Sequence, residues 1–300
     1  MKKCSAIVGG LLLLLFTACE NQSKKDQRDS PTQGTIHISV DESFKPVIDA
    51  QLQVYHASYP NTNIIAEYKS EADCFKDLQN DSTRMIIVAR GLDSNEIAYY
   101  TNKLSFKPQF DIVAYDAVAA IVNEQSKDSV FTLARLNAIL SGKEKKPVVM
   151  DGHNATSTVR YLKDSVLKGG TFGPNVMAVK GSDSVVQVVS NSADAIGFVG
   201  ISWVGNPYEP KQIENLKKIR LALLECKACD EKNEYAKPSQ ATLTFGQYPL
   251  ARPLYYILKE NANGLGTGFA NFLSLERGQL VFRRAILAPA KMNLNERSVR

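Results

Sequence analysis

Three consecutive hydroxyl residues, Thr156, Ser157 and Thr158, follow a short apolar run and precede a stretch with helical spacing. Residues 147–150 predict a buried strand, and the Gly and Asn within residues 151–155 are typical of a turn. The apolar residues after position 158 recur three or four positions apart and predict a helix. The three hydroxyls are therefore expected at the beginning of a helix, directly after a strand.

This arrangement fits two kinds of chemistry. A Ser or Thr at a helix start accepts hydrogen bonds from the first backbone N–H groups, and Thr156 or Ser157 would then be an ordinary N-cap. The same helix end presents donors and the positive end of the helix dipole, which favours an oxyanion. Arg160, in the first turn, could add a forked donor. Both interpretations stay open from these residues alone.

Residues 1–18 have the pattern of a secretion signal. Lys2 and Lys3 precede the apolar segment Val8–Phe16, which is too short to span a bilayer as a mature helix. Small residues then lead directly into Cys19. This ending resembles a bacterial lipobox, which implies cleavage before Cys19 and a lipid on its sulfur. The alternatives are an ordinary signal peptide cleaved nearby and an uncleaved anchor.

The segment after the signal is polar. Residues 19–33 are rich in Asn, Gln, Ser, Lys and Asp without apolar periodicity, which predicts a flexible tether. The formal charge of +5 includes Lys2 and Lys3, so the mature chain is only mildly basic. No Lys/Arg block is dense enough to predict a nucleic-acid partner. No second apolar span occurs, so contact with a membrane is expected only through the N-terminal lipid.

Enzyme motifs are missing from the sequence. There is no Gly-x-Ser-x-Gly, Walker A or zinc-protease pattern, so neither an enzyme nor a metal or other cofactor is expected. Cys226 and Cys229 form a Cys-Lys-Ala-Cys motif, which in an exported protein favours a short-loop disulfide. A redox motif or half of a metal site are the alternatives, although zinc prefers four ligands.

Strand and helix patterns alternate along most of the mature chain, which predicts an α/β fold with parallel or mixed sheets flanked by helices. The apolar run 110–123 is interrupted by Asp116, and it is long for one strand. It predicts a strand that leaves one sheet and enters another, and the run 248–258 predicts the return crossing. The expected division is lobe 1 from 34–116 with 246–290, lobe 2 from 117–245, and a tail over 291–300. Ligands of such sheets bind beyond the carboxyl ends of the strands, so the cleft between the lobes is the expected site.

Several stretches, in this order and spacing, resemble a type II periplasmic solute-binding protein, and specifically the phosphate-binding component of an ABC transporter. The clearest are residues 34–46, 86–92, 110–142 and 193–200. The first resembles the family's opening strand and Ser-containing loop, and the last resembles its Gly-Ala-Ile-Gly-Tyr-Val strand. The resemblance spans nearly all of residues 34–290 and implies the two-lobed type II periplasmic binding protein fold.

The resemblance also implies a ligand set. Lobe 1 would contribute Ser43, Phe44 and Arg90, and lobe 2 would contribute Thr156, Ser157, Thr158 and Arg160. A carboxylate that accepts a proton from phosphate is expected as well, because such an acceptor distinguishes phosphate from the unprotonated sulfate. The candidates for this acceptor are three aspartates, Asp41, Asp116 and Asp151, and the neighbouring Glu42.

The function implied is a lipid-anchored, extracytoplasmic receptor on the periplasmic side of the cell envelope. It would be a monomer that captures inorganic phosphate or a similar oxyanion and delivers it to an inner-membrane ABC permease. The alternative is a lipoprotein with the same fold that acts as a sensor or envelope-assembly partner without a transport role. Residues 154–158 favour this alternative somewhat, since they lack the glycines that the family has there.

Overall fold

A computed structural model describes residues 29–152, 156–231 and 233–292. The predicted signal peptide, Cys19, most of the predicted tether and the end of the predicted tail lie outside these ranges. None of the helices within them is long and apolar enough to cross a membrane.

The elements alternate as the sequence predicts. The strands are β1 (Gly34–Asp41), β2 (Thr62–Lys69), β3 (Thr83–Val88), β4 (Gln109–Asn123), β5 (Val130–Phe131), β6 (Val148–Asp151), β7 (Val176–Val179), β8 (Ile196–Gly200), β9 (Ile219–Leu221), β10 (Leu223–Glu225), β11 (Tyr235–Ala236), β12 (Ala251–Leu258) and β13 (Ala288–Pro289). The α-helices are α1 (Lys45–Ser58), α2 (Glu71–Asp77), α3 (Ser94–Leu104), α4 (Leu133–Leu140), α5 (Ser157–Ser165), α6 (Gly181–Ser190), α7 (Pro210–Leu216), α8 (Gln240–Thr244), α9 (Leu265–Ser274) and α10 (Glu276–Arg284). Two 3-10 helices, Glu42–Phe44 and Ile201–Trp203, follow β1 and β8.

The sheet of lobe 1 has the order β2-β1-β3-β12-β4. Strands β1, β2 and β3 are parallel, whereas β12 runs antiparallel to both β3 and β4. The end of β1 and nearly all of β3 are buried, as expected for parallel strands covered on both faces. Parallel strands end at the same edge of a sheet, so the loops after β1 and β3 lie at one side of the lobe.

Strand β4 belongs to both lobes. Its first part pairs with β12 as far as Ala117, and its second part, from Val118, pairs with β8 and β9. Every residue from Asp116 to Asn123 is buried. Burial of each Val or Ile side chain contributes about 1.5–3 kcal/mol, so this strand anchors both sheets. The predicted α/β, two-lobed fold is confirmed, including the strand that crosses between the sheets.

Lobe 2 continues from β4 in the order β8-β6-β7, and β6 is parallel to both neighbours. Its helices α5 and α6 begin after the carboxyl ends of β6 and β7. A separate three-stranded sheet, β11-β10-β5, extends the lobe. The chain between β10 and β11 contains the bonded pair Cys226 and Cys229, whose Cα atoms are 5.8 Å apart.

The part of the predicted tether that the structure describes is docked on lobe 1. Arg84 Nη1 donates to Glu260 Oε2 at 2.7 Å and lies 3.1 Å from Asp29 Oδ2. Asp29 Oδ2 also accepts from the backbone N–H of Leu265 at 2.8 Å. The folded body therefore begins before Gly34, because a charged residue within the polar segment finds a buried partner. Sequence composition alone does not indicate this pairing.

Candidate functional site

The loop after β1 places a serine at the inner edge of lobe 1. Asp41 ends β1 and caps the following 3-10 helix, and its Oδ1 accepts from the backbone N–H of Ser43 at 2.9 Å. Ser43 and Phe44 are both buried, and α1 begins immediately after them. This strand–turn–helix connection points the Ser43 side chain and the N-terminus of α1 towards lobe 2.

The loop after β6 has the same design in lobe 2. Thr156 is the N-cap of α5: its Oγ1 accepts from the N–H of Val159 at 3.3 Å and donates to the Asp151 carboxylate at 3.1 Å. The N-cap interpretation thus applies to Thr156. Ser157 and Thr158 are fully buried, and their hydroxyls face lobe 1.

The two loops meet through three hydroxyls, Ser43, Ser157 and Thr158, which we call the hydroxyl cluster. Ser43 Oγ lies 3.2 Å from Thr158 Oγ1 and 3.4 Å from Ser157 Oγ. It also lies 3.4 Å from Asp151 Oδ2. Residues more than 100 positions apart are therefore brought together across the boundary between the lobes, next to two helix N-termini. Such N-termini favour a bound anion.

A buried arginine completes this arrangement. Arg252, on β12, donates from Nη1 to Ser157 Oγ at 2.9 Å and from Nε to Asp116 Oδ2 at 2.9 Å. Arg252 and Asp116 face each other in the β12–β4 ladder, and neither is exposed. The guanidinium carbon lies 4.8 Å from the centre of the Phe44 ring. The ion pair with Asp116 and the contact with Phe44 hold the guanidinium against the hydroxyl cluster.

Two buried polar atoms beside the hydroxyl cluster have no hydrogen-bond partner of good geometry among the described residues: Asp41 Oδ2 and Arg252 Nη2. Nη2 lies 2.8 Å from Asp116 Oδ2 within the ion pair, but Nη2 carries two hydrogens and at most one of them can point at that oxygen. Buried polar groups are nearly always hydrogen-bonded. The first atom requires a donor and the second requires an acceptor, so a ligand that carries both would satisfy the site.

The carboxylates around the hydroxyl cluster outnumber its cations. Burial raises the pKa of Asp116 to about 6, although the Arg252 guanidinium opposes this shift. Burial, together with the charges of Glu42 and Asp41, raises the pKa of Asp151 to about 8. Burial and the charge of Glu71 also raise the pKa of Asp41. Three aspartates thus face one guanidinium in a region with little solvent, where an added anion is most stable if it brings a proton.

Other contacts join the lobes around the hydroxyl cluster. The guanidinium of Arg160 bonds the buried Glu71 carboxylate, with Nη2 3.1 Å from Oε1. The indole Nε1 of Trp203 donates to the carbonyl oxygen of Ser43 at 3.0 Å. Arg160 therefore reaches the boundary between the lobes, but its guanidinium is engaged by a carboxylate of lobe 1.

Arg90 is not brought to the hydroxyl cluster. Its guanidinium pairs with Glu96 at 2.8 and 2.9 Å and lies 3.6 Å from the centre of the Phe75 ring. Glu96 is fixed there by the capping box of α3, in which it reaches back to the N–H of Asp93. A strong local partner thus takes the arginine that the family resemblance assigns to the ligand.

The residue that the sequence prediction missed is Arg252. A signal exists, because a charged residue lies in the middle of each of the two long apolar runs: Asp116 in the first and Arg252 in the second. A charge buried in an apolar strand requires a partner of opposite sign.

Among the described residues, no group of three or more His, Cys, Asp or Glu has the arrangement of a metal site.

The comparisons with known proteins agree with this fold. A family model described as a PBP superfamily domain matches residues 26–276. The phosphate-binding protein PstS of Pseudomonas aeruginosa is 28% identical over 300 aligned positions, which cover 91% of this chain and 88% of the relative. An ABC transporter substrate-binding protein from Clostridium perfringens, solved with bound phosphate, superposes with a TM-score of 0.69 at 19% identity. This alignment covers 86% of this chain and all of that one. An ABC-type phosphate transport receptor from Vibrio cholerae superposes with a TM-score of 0.63 at 17% identity, over 84% of this chain and 99% of the receptor.

Two sheets that share the crossing strand β4, with donors from both lobes converging between them, define a two-lobed binding-protein fold. The chain belongs to the PBP superfamily, since the family model covers most of its length. The predicted class, a binding protein rather than an enzyme, is confirmed.

Proposed function

We propose that this protein captures inorganic phosphate between its two lobes and delivers it to an inner-membrane ABC permease. The hydroxyls of Ser43, Ser157 and Thr158 and the guanidinium of Arg252 would bind the phosphate oxygens. The N-termini of α1 and α5 would add their positive dipole ends. The names of the relatives support this ligand, and the donors of the hydroxyl cluster match its chemistry.

The observation that carries the proposal is a pair of buried atoms with unused hydrogen-bonding capacity, Asp41 Oδ2 as an acceptor and Arg252 Nη2 as a donor with a second hydrogen. Hydrogen phosphate has a P–OH group that donates and P–O⁻ oxygens that accept, so it can serve both. Sulfate at neutral pH has acceptors alone, and its oxygens would face the Asp41 carboxylate without a hydrogen between them. This unfavourable contact would exclude sulfate.

Asp41 is the best supported of the three aspartates proposed as proton acceptors. Both oxygens of Asp116 are engaged, Oδ1 by the N–H of Ile201 at 3.3 Å and Oδ2 by Arg252. Asp151 Oδ1 accepts from Thr156, and Asp151 Oδ2 lies within 3.4 Å of two further hydroxyls. Among the described residues, Asp41 alone of the three has an oxygen without a hydrogen bond of good geometry, although the nearby Ser157 hydroxyl lowers the pKa of its carboxyl.

Isothermal titration calorimetry with phosphate, sulfate and molybdate tests the proposed ligand. We expect phosphate to bind and sulfate to give no heat at the same concentration. Trp203 gives a second readout, because it is the single tryptophan of the chain and contacts Ser43 across the lobes. Its fluorescence should change as phosphate closes the cleft. If none of the three oxyanions binds, the proposal is refuted.

Lipid anchoring through Cys19, a monomeric state and the lobe division near residues 116/117 and 245/246 remain part of the proposal. If Cys19 carries the lipid, Cys19→Ser should move the protein from the membrane fraction to the soluble fraction of cells. A single acyl chain binds membranes only weakly, so stable anchoring through Cys19 would require more than one acyl chain on that residue. The matched control is Cys74→Ser, at a buried cysteine of lobe 1. Membrane retention of Cys19→Ser would argue for the uncleaved anchor.

The alternative function, a sensor or envelope-assembly partner without a transport role, predicts a different cellular result. It is favoured by residues 154–158, which lack the family's glycines. Phosphate uptake at limiting phosphate should fall when the chain is deleted if it serves a permease. Uptake would be unchanged if the chain only senses phosphate.

A further inference from the structure

A second contact across the lobes joins Glu42, Ser182 and Asp151 beside the hydroxyl cluster. It contains more hydrogen-bond acceptors than there are hydrogens to bridge them. The half-buried Glu42, in lobe 1, accepts from the backbone N–H of Ser182 through Oε1 at 3.1 Å. Its other oxygen, Oε2, lies 3.2 Å from Ser182 Oγ. On the far side, Ser182 Oγ lies 3.2 Å from Asp151 Oδ2. Gly181 permits this approach, since a Cβ there would lie 3.1 Å from Glu42 Oε1.

The number of hydrogens follows from the side-chain chemistry. A serine hydroxyl carries one hydrogen, and an ionised carboxylate carries none. Ser182 can donate to Glu42 or to Asp151, but not to both. The remaining 3.2 Å contact would then bring two acceptor oxygens together without a hydrogen, in a buried place where this is unfavourable. One proton on either carboxyl group makes both contacts hydrogen bonds.

We infer that closure of the lobes takes up one proton, which the Glu42–Ser182–Asp151 bridge holds, and that phosphate capture is therefore coupled to proton binding. This inference rests on the proposed function. Glu42 belongs to lobe 1, whereas Ser182 and Asp151 belong to lobe 2, so the bridge exists only when the lobes meet. In an open form each carboxylate would face water and stay ionised at neutral pH.

Charges of both signs surround the bridge. The charged groups that act on its two carboxyl groups are Asp41 at the end of β1, Arg252 on β12 and Lys45 at the start of α1. Burial raises the pKa of Glu42, and burial with the charge of Glu42 raises the pKa of Asp151 to about 8. Ordinary carboxyl groups titrate near about 4. The closed form thus holds the proton more tightly than the open form.

The sign of the pH dependence follows from this difference. Closure is favoured fully below about pH 4, where both forms are protonated, and this advantage is lost as the pH rises to about 8. Within this range phosphate affinity should fall by up to about tenfold per pH unit for one proton taken up. The ionisation of phosphate itself contributes separately and is the same for every variant.

Glu42→Gln removes the need for the proton. The new amide can accept from the Ser182 N–H and donate to Ser182 Oγ, which leaves the serine hydrogen for Asp151. Calorimetry in buffers of small and large ionisation enthalpy counts the protons taken up with phosphate. We expect the wild-type protein to take up about one proton more than Glu42→Gln near neutral pH. Equal proton counts, with phosphate bound by both, would overturn the inference, whereas no phosphate binding by the wild-type protein would instead refute the proposed function.

Infrared difference spectroscopy keeps the inference testable if Glu42→Gln does not fold. The wild-type protein should gain the C=O band of a protonated carboxylic acid when phosphate binds. Lack of this band in phosphate-bound wild-type protein would also overturn the inference.

Discussion

Arg252→Met should reduce phosphate affinity by at least about 100-fold, because hydrogen bonds to charged groups contribute about 1.5–3 kcal/mol each. Arg252 is the one guanidinium that reaches the hydroxyl cluster among the described residues, and it bonds Ser157 at 2.9 Å. The substitution should also lower the free energy of unfolding by about 3–5 kcal/mol, since it leaves the Asp116 carboxylate buried without its partner. Calorimetry measures the first effect and chemical denaturation measures the second.

A double variant separates the loss of binding from the loss of stability. Asp116→Asn in the Arg252→Met background removes the unpaired charge, and the amide oxygen can still accept from the N–H of Ile201. Stability should then recover largely, because replacing both members of a buried ion pair is often nearly neutral. Phosphate binding should not recover. A stable double variant with wild-type phosphate affinity would show that Arg252 does not bind the ligand.

Arg90→Met is the matched control, because Arg90 is an arginine of lobe 1 that lies outside the hydroxyl cluster and pairs with Glu96. Partly exposed ion pairs contribute about 0–1 kcal/mol, so phosphate affinity should change by no more than a few fold. A large loss of affinity in Arg90→Met, with none in Arg252→Met, would favour the assignment made from family resemblance.

The fold was predictable because its signals are local. The alternation of strands and helices, the N-cap residues before several helices and the long apolar run interrupted by a charge each follow from short stretches of sequence. The position of Ser43 and the hydroxyls at 157–158 followed from the same rule, since the ends of parallel strands meet at one edge. These residues do come together between the lobes.

The position of the Arg252 guanidinium could not be predicted from local sequence, because it depends on the register between two strands that are distant in the chain. Arg252 meets Asp116 only because β12 lies antiparallel to β4 with these two residues opposite each other. Sequence identifies both as charges in apolar surroundings but gives no pairing between them. Arg90 shows the reverse case: it follows a strand as expected, but a glutamate six positions later captures it. Its guanidinium is therefore engaged by a local partner and not by the hydroxyl cluster.

The bridge from Glu42 to Asp151 could not be predicted from the sequence for a similar reason. Glu42 and Ser182 are 140 positions apart, and each reads as an ordinary polar residue at a helix start. Their contact arises from the closure of two lobes around the first turn of α6. On the two proposals made here, closure would set both the ligand contacts and the proton count of the site. The carboxylates would then differ in role, with Asp116 orienting Arg252, Asp151 sharing a proton and Asp41 left for the ligand.

Asp41→Asn should weaken discrimination between phosphate and sulfate. The amide oxygen can still accept from the Ser43 N–H, which Asp41 Oδ1 now accepts at 2.9 Å. The amide nitrogen then takes the place of Oδ2, so a donor stands where the wild-type protein has an acceptor. Phosphate loses the acceptor for its P–OH group, and sulfate gains a donor in place of a repelling charge. We expect phosphate affinity to fall about 10- to 100-fold, the equivalent of one charged hydrogen bond, and sulfate binding to become measurable.

Competition between phosphate and sulfate, followed by calorimetry and by Trp203 fluorescence, measures the ratio of the two affinities directly. Asp49→Asn is the control, since Asp49 pairs with Lys45 on the exposed side of α1, and such pairs contribute little. If Asp41→Asn kept tight phosphate binding and still rejected sulfate, the acceptor would have to be another carboxylate. Asp151 would then be the next candidate, because its Oδ2 faces Ser43, and the proton in the bridge would have to reside on Glu42.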